Sequence, residues 1–124
     1  MKQVMLLVCI LISTLLFYLK GPSSWSGEYA IRGIDVSHYQ SAIDWSKVAS
    51  QQLDFVFVKA TEGVTLNDKL FCDNWEAIKT EGLRRGAYHF YRANVSPEQQ
   101  ALKFIRNVKM EAGDLPPELD VETL

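Results

Sequence analysis

The run Phe55–Ala60 (FVFVKA) most constrains how this chain can fold. It is apolar apart from Lys59, and aromatic and β-branched side chains dominate it. Such a run is typical of a strand that is buried on both faces. Strands of this kind belong mainly to parallel sheets covered by helices, so the rest of the chain should supply helices and further strands.

Helix and strand patterns alternate along the rest of the chain. The other strand patterns are Tyr29–Ser37, Gly86–Tyr91 and Leu115–Glu122. Helix patterns begin at Asp44, at Asn67 or Asp68, and at Ser96, and the last two end at Gly82 and Gly113. Aspartate and serine are good helix caps, and Pro97 fits the first helical position. The order strand, helix, strand, helix, strand, helix, strand predicts a parallel sheet with helices packed outside.

Some further placements follow from these patterns. Thr61–Gly63 reads as a loop after the second strand, and Cys72 reads as a small buried hydrophobe. Trp45 and Trp75 fall on the predicted core faces of their helices. The predicted buried side of the third helix is Ala101, Leu102, Phe104, Ile105 and Val108.

Polar residues gather where the predicted strands end. They are Asp35, Ser37 and His38, then Lys59, Thr61 and Glu62, then His89 and Tyr91, and finally Asp120 and Glu122. Both a (β/α)₈ barrel and a doubly wound sheet bind ligands at that end, so the clustering indicates a site without choosing between these folds. No phosphate-binding glycine motif follows the first strand, which counts against a nucleotide fold.

The last strand carries the most specific chemical signal. Asp120 and Glu122 alternate with apolar residues, so they leave the same face of a strand with alpha carbons roughly 6.5 Å apart. Carboxylates this close resist joint ionisation, and one can stay protonated near neutral pH. Glycoside hydrolysis requires an acid beside a base of this kind. An edge strand with a solvated acidic face is the alternative.

The first twenty residues differ from the rest. Val4–Leu19 has no charged residue and is bracketed by Lys2 and Lys20. We interpret residues 1–20 as a signal peptide or a membrane anchor, favouring an anchor through residues 4–19, and residues 21–29 as a linker. Both interpretations place the remaining domain outside the cytoplasm, in the cell envelope or secreted.

Composition excludes some classes of function. The formal net charge is −2 and no run of like charges occurs, which argues against a nucleic-acid partner. Cys72 is the one cysteine after the apolar segment, so the exported part has no internal disulfide. No pair of His, Cys or Asp residues has metal-ligand spacing, and we predict no metal and no cofactor.

Four motifs together resemble one enzyme family. Gly33–Gln40 followed by Ile43–Trp45, then Phe57–Gly63, Gly86–Phe90 and Leu119–Glu122, are similar to the first four strands of family 25 glycoside hydrolases, the Chalaropsis-type lysozymes. The resemblance covers about residues 30 to 124. It implies an irregular (β/α) barrel of the TIM type, here truncated to about its first four strands.

The resemblance also implies an activity. Members of the family are N-acetylmuramidases that cut the β-1,4 bond between N-acetylmuramic acid and N-acetylglucosamine in peptidoglycan. By motif, Glu122 matches the general acid/base, and Asp120 matches the carboxylate that stabilises the 2-acetamido group or the oxocarbenium charge. Asp35 matches a third acidic residue. Burial of Glu122 and the charge of Asp120 would favour a protonated Glu122.

Five other residues are candidates for sugar binding, each with a structural alternative. Lys59 would be a counter-ion for Asp35 or Asp120, and His89 a sugar contact or a core histidine. Tyr39 and Tyr91 would stack on sugars or pack at the rim. Glu62 would be a sugar contact or a loop cap.

The length of the chain limits the expected activity. A barrel of this type runs to about 250 residues, so residues 30–124 would form the incomplete N-terminal half of one. We expect little muramidase activity from these 124 residues alone. A non-catalytic, membrane-tethered peptidoglycan-binding module and an inactive truncated product are the alternatives.

Overall fold

The computed structural model describes residues 30–122. Its elements are β1 (Gly33–Val36), a 3₁₀ turn (His38–Gln40), α1 (Trp45–Ala49), β2 (Phe55–Glu62), β3 (Leu66–Asn67), α2 (Phe71–Thr80), β4 (Arg84–Phe90), α3 (Pro97–Asn107) and β5 (Glu118–Asp120). The predicted signal peptide or anchor and the predicted linker lie outside the described residues. Within residues 30–122, the helices are too short or too polar to cross a membrane.

The elements form one sheet with a parallel core. The strand order is β1-β2-β4-β5, with all three pairings parallel, and β3 pairs antiparallel with the end of β2. This confirms the predicted α/β class with four parallel strands. The sheet is open, with β1 and β5 at its two edges, so closure into an irregular barrel stays a prediction.

The helices cover one face of this sheet and form the core with it. Val56 and Val58 of β2 and Ala87 of β4 have no exposed surface. They pack against Trp45 of α1 and against the apolar side of α2. The buried apolar residues of these two helices are Trp45, Phe71, Trp75 and Ile78. The predicted core positions of Trp45 and Trp75 are therefore confirmed.

The other face of the sheet is left uncovered by the described residues, and two glycines shape it. A Cβ on Gly33 would lie 2.1 Å from the Phe55 ring, and one on Gly86 would lie 2.3 Å from the Phe57 ring. The two rings therefore rest directly on the backbone of the neighbouring strands. Both phenylalanines are half-buried, so the prediction that β2 is buried on both faces is wrong for this end of the strand.

The second strand runs further than its sequence indicates. Thr61 and Glu62, predicted as loop, belong to β2 because they pair with His89 and Phe90 beyond a bulge. β3 was not predicted. The cap of α2 also differs: Leu70 holds the cap position, and no side chain caps the helix there.

The third helix begins as predicted but differs at its end and on one side. The Ser96 hydroxyl accepts a hydrogen bond from the Gln99 N–H, and Pro97 opens the helix. The helix ends at Asn107, and Gly113 belongs to a later turn with φ of +98°.

Several predicted core positions are exposed. Ile105 is 69% exposed and Leu102 is 49% exposed, and Ala101 and Cys72 are exposed too. The predictions that these four residues are buried are wrong. The described elements pack against α3 only through its opposite side, where Gln100 is buried and Phe104 is half-buried.

Candidate active site

Three acidic residues line one cleft on the uncovered face of the sheet. Asp35 comes from β1, Asp120 from the last position of β5, and Glu122 from just beyond it. The cleft has a volume of about 470 Å³, and Phe55, Phe57 and Tyr88 also line it. The structure therefore brings together the three carboxylates that the sequence singled out.

Strand register explains why these groups meet. Tyr88 pairs with Glu118, and Phe90 pairs with Asp120, so alternate residues of β4 and β5 project from the same face. Asp35 pairs with Phe57 in the same way across β1 and β2. The cleft is thus lined mainly by alternate residues of four neighbouring strands.

The carboxylates of the cleft differ in exposure. Asp120 is half-buried, whereas Asp35 and Glu122 are exposed. The partial burial expected for Glu122 depends on closure of the barrel, so it stays a prediction. Glu122 lies two residues beyond the end of β5, and no strand among residues 30–122 covers it.

Tyr88 is a cleft residue that the sequence analysis missed. It is 8% exposed, and burial raises the pKa of its phenol. The negative charges of Asp35, Asp120, Asp68 and Glu122 raise that pKa further. The hydroxyl therefore stays protonated and can donate a hydrogen bond to a group in the cleft.

Lys59 and Glu62 form an ion pair at the carboxyl end of β2. The Lys59 ammonium lies 2.5 Å from the Glu62 carboxylate and 4.5 Å from the centre of the Phe90 ring. The prediction that Lys59 neutralises Asp35 or Asp120 is wrong, because the ion-pair partner of Lys59 is Glu62. Glu62 also accepts from Arg92, whose Nε lies 2.9 Å from Glu62 Oε1.

Opposing effects act on the Glu62 carboxyl. Burial acts to raise its pKa, but hydrogen bonds from Lys59 and Arg92 and the charges of both cations outweigh burial and lower it. Glu62 is therefore ionised near neutral pH, and it holds two cations at the rim of the sheet.

His89 is part of a buried network on the helix-covered face. Its Nδ1 lies 2.7 Å from Thr61 Oγ1, and its Nε2 lies 3.0 Å from Gln100 Oε1. Because the Gln100 amide nitrogen donates to the Arg92 and Val95 carbonyls, the amide oxygen must accept from His89 Nε2–H. His89 is thus a satisfied core residue on the face opposite the cleft.

The two candidate tyrosines also lie away from the cleft. Tyr39 is 77% exposed and its ring centre is 4.2 Å from that of His38. Tyr91 lines a separate apolar groove of about 540 Å³ between α3 and β5, with Phe104 and Leu119. The structure therefore does not bring Tyr39 or Tyr91 to the acidic groups.

A buried carboxylate braces the turn after β1. Asp68 Oδ2 accepts from the His38 N–H at 2.9 Å and lies 2.6 Å from His38 Nδ1. Asp68 Oδ1 accepts from the Leu70 N–H at 3.0 Å. Asp68 thus joins the turn that follows Asp35 to the start of α2. In the part of the chain from 30 to 122, no three His, Cys, Asp or Glu side chains are placed to hold a metal ion.

Known proteins share this architecture and these motifs. The family model described as Glycosyl hydrolases family 25 matches residues 34–124. A family 25 glycosyl hydrolase from Bacillus anthracis superposes with a TM-score of 0.78 at 42% identity, over 82% of this chain and 46% of that one. A bacterial lysozyme from Streptomyces coelicolor superposes with a TM-score of 0.69 at 40% identity, over 74% of this chain and 44% of that one.

Two curated proteins are also similar to this chain in sequence. Lysozyme M1 of Streptomyces globisporus is 46% identical over 76 residues, which is 61% of this chain and 25% of the relative. The uncharacterized protein YegX of Escherichia coli K12 is 46% identical over 100 residues, which is 77% of this chain and 37% of the relative. The chain thus spans between a quarter and a half of the length of these relatives. From its motifs, its parallel sheet and these matches, the chain belongs to glycosyl hydrolase family 25.

Proposed function

We propose that this chain contributes to peptidoglycan hydrolysis at the β-1,4 bond between N-acetylmuramic acid and N-acetylglucosamine. The observation that carries the proposal is the cleft that Asp35, Asp120 and Glu122 line together with a protonated Tyr88. Membership of a glycoside hydrolase family supports the reaction class, and the lysozymes among its relatives support the choice of glycan.

Each acidic residue has a proposed role. Glu122 acts as the general acid/base that protonates the leaving oxygen. Asp120 stabilises either the positive charge of the oxocarbenium-like state or the 2-acetamido group as it cyclises. Asp35 adds a third negative charge from the neighbouring strand edge.

The close spacing of Asp120 and Glu122 favours substrate-assisted cleavage. Both residues reach the sugar from the same strand end, so neither is placed to attack the anomeric carbon from the opposite face. An internal acetamido nucleophile would give retention at the anomeric carbon. First-formed products with inverted configuration would exclude this route.

A matched pair of variants tests the role of Glu122. Glu122→Gln and Glu118→Gln change two glutamates that line the same cleft. We would place residues 34–122 in the aligned part of the Bacillus anthracis protein and measure release of reducing ends from cell walls. Loss of the general acid should lower turnover by about 100-fold or more, while Glu118→Gln should keep most of it. Near-normal turnover of Glu122→Gln would mean that the acid is misassigned.

The exposure of Glu122 favours a second candidate, a peptidoglycan-binding module without turnover. Glu122 is exposed in the described residues, whereas bond cleavage is favoured in a site that excludes water. Retention of the chain on purified sacculi without release of reducing ends would favour this function over hydrolysis.

We further propose that the domain works outside the cytoplasm. The uncharged segment at residues 4–19 would direct export and hold the domain at the membrane. Fractionation of cells that express the chain tests this, and recovery from the cytoplasm would contradict it.

A further inference from the structure

A compact group of charges adjoins the acidic cleft at the carboxyl ends of β2 and β4. Glu62 pairs with Phe90, and Phe90 pairs with Asp120, so these three residues form one row across three strands. Two strand spacings separate Glu62 from Asp120, which is about 10 Å between alpha carbons. The Tyr91 N–H also donates to the Asp120 carbonyl at 2.8 Å. Arg92 therefore directly follows a residue whose backbone is bonded to β5, the strand that carries Asp120.

The charges of this group do not cancel. Lys59 and Arg92 supply two positive charges and Glu62 supplies one negative charge. Lys59 is buried, whereas the Arg92 side chain is 46% exposed. The excess positive charge therefore reaches solvent through Arg92, which also lines a surface depression of about 390 Å³ with Thr65 and Asn94.

The Arg92 guanidinium is fixed from several directions. Its Nε and Nη2 donate to Glu62, and its carbon lies 4.7 Å from the centre of the Phe90 ring. The Arg92 backbone is held as well, since its N–H donates to Gln100 at 2.9 Å and its carbonyl accepts from Gln100 at 2.9 Å. No hydrogen-bond partner of Nη1 occurs among residues 30–122, and the position of the guanidinium is already set, which lowers the entropic cost of binding an anion.

An acidic glycan needs such a group here. Asp35, Asp120 and Glu122 repel any carboxylate that enters the cleft. A fixed cation at the rim offsets that repulsion and places the acid away from the three carboxylates. A purely structural role, in which Arg92 only ties the β4–α3 loop to β2 through Glu62, would not depend on the charge of the ligand.

We propose that Arg92 is a specificity-determining residue that binds a carboxylate carried by the sugar in the adjoining cleft. The ligand class is an N-acetylhexosamine with an acidic ether substituent, such as muramic acid whose lactyl carboxylate carries no peptide. This inference rests on the proposed function, because it assigns the acidic sugar of that substrate to one end of the cleft.

Binding of two disaccharides by the full chain tests the inference. The acidic probe is N-acetylglucosaminyl-N-acetylmuramic acid with a free lactyl carboxylate, and the neutral probe is di-N-acetylchitobiose. Dissociation constants are measured by nuclear magnetic resonance titration for the wild type, Arg92→Gln, Glu62→Gln and the control Arg106→Gln. Arg106 is an exposed arginine of α3 that lines a different depression.

The two test variants should act in opposite directions. Loss of one charge-assisted hydrogen bond should weaken binding of the acidic probe to Arg92→Gln by about tenfold and leave the neutral probe unchanged. Glu62→Gln removes a negative charge from the rim but keeps an amide oxygen that can accept from Arg92, so it should tighten binding of the acidic probe. Arg106→Gln should change neither dissociation constant.

Other results would overturn the inference. If Arg92→Gln weakens both probes equally, or neither, Arg92 does not select for the acid although the sugar site stands. If the wild type binds neither probe, both the inference and the proposed function fail. Thermal unfolding of each variant separates loss of binding from loss of fold, and Glu62→Gln remains informative if Arg92→Gln unfolds.

Discussion

Tyr88 shows how a single residue acquires its chemistry from its strand neighbours. Burial and the nearby carboxylates raise the pKa of its phenol, so Tyr88 remains a hydrogen-bond donor at neutral pH. A neutral donor among negative charges can hold a carbonyl or hydroxyl oxygen of the sugar.

Tyr88→Phe tests this role. The ring and its packing stay while the donor is lost, so stability should hold and kcat/KM of the Bacillus anthracis chimera should fall by about tenfold or more. Tyr39→Phe is the control, because Tyr39 is exposed away from the cleft. Initial rates on cell walls measure the effect, and unchanged kcat/KM in Tyr88→Phe would exclude a hydrogen bond to the reacting sugar.

The sequence predicted His89 and Tyr91 as sugar-binding residues, whereas Tyr88 is the residue of this stretch that lines the cleft. Successive residues of a strand alternate between faces, so moving by one position exchanges the cleft for the core. Gly86 carried the missing signal, since a strand glycine indicates close approach of another group. Counting by two from Gly86 leads to Tyr88 and then to Phe90, which are on the cleft face.

At the scale of elements, a buried arginine holds the segment that precedes β5 against β4 and α2. Arg85 is 2% exposed, its Nε donates to Asp114 at 2.8 Å, and its guanidinium lies 4.0 Å from the centre of the Trp75 ring. Its carbonyl accepts from the Leu115 N–H at 2.8 Å. These contacts anchor the segment that leads into β5, the short strand that carries Asp120.

Asp114→Asn tests this anchor through stability. Burial acts to raise the pKa of Asp114, but the hydrogen bonds from Arg85 and the Glu111 N–H and the charge of Arg85 outweigh it and lower the pKa. Removing the negative charge should cost about 1 to 3 kcal/mol of unfolding free energy at pH 7. Urea unfolding measures the loss, and the exposed Asp73→Asn is the control.

The same pair of proteins tests the pH dependence. Because the folded-state pKa of Asp114 is lowered, its contribution is complete above the unfolded value of about 4 and is lost as pH falls through the folded value. The stability gap between wild type and Asp114→Asn should therefore narrow below pH 4. A gap that stays constant into acid would contradict an ionic contribution.

Local signals located the caps of α1 and α3 but not the cap of α2. The caps Asp44 and Ser96 and the apolar run of β2 act within a few residues, and all three were located correctly. The extension of β2 through Glu62 depends on pairing with β4, more than twenty residues away. The third helix ends at Asn107, well before Gly113. Val108, the residue that follows, has extended backbone and packs in the core.

At the scale of the whole molecule, the described sheet has two open edges and an unfinished outer surface. Leu119 is 59% exposed and Val121 is 45% exposed at the β5 edge, beside the apolar groove along α3. Apolar side chains exposed together in this way mark a surface that other protein segments can cover. Periodicity predicted these residues as apolar strand positions, but it carries no information about whether a neighbour is present.

This openness predicts low activity for the chain alone. The cleft is solvated around Glu122, so the 124 residues should release reducing ends from cell walls far more slowly than the Bacillus anthracis chimera. We expect a difference of at least about 100-fold, in line with the loss of general acid catalysis. The Glu122→Gln form of the same chain gives the background, and rapid clearing by the wild-type chain would contradict the prediction.

The contacts of the Phe55 ring with Gly33 and of the Phe57 ring with Gly86 limit which substitutions the cleft can accept. Each ring occupies space that a single methyl group would fill. The depth at which a sugar would rest is therefore set by two hydrogen atoms on the backbone. Alanine at either position would lift a ring towards the sugar, so substitutions there should alter which glycans fit before they alter the chemistry.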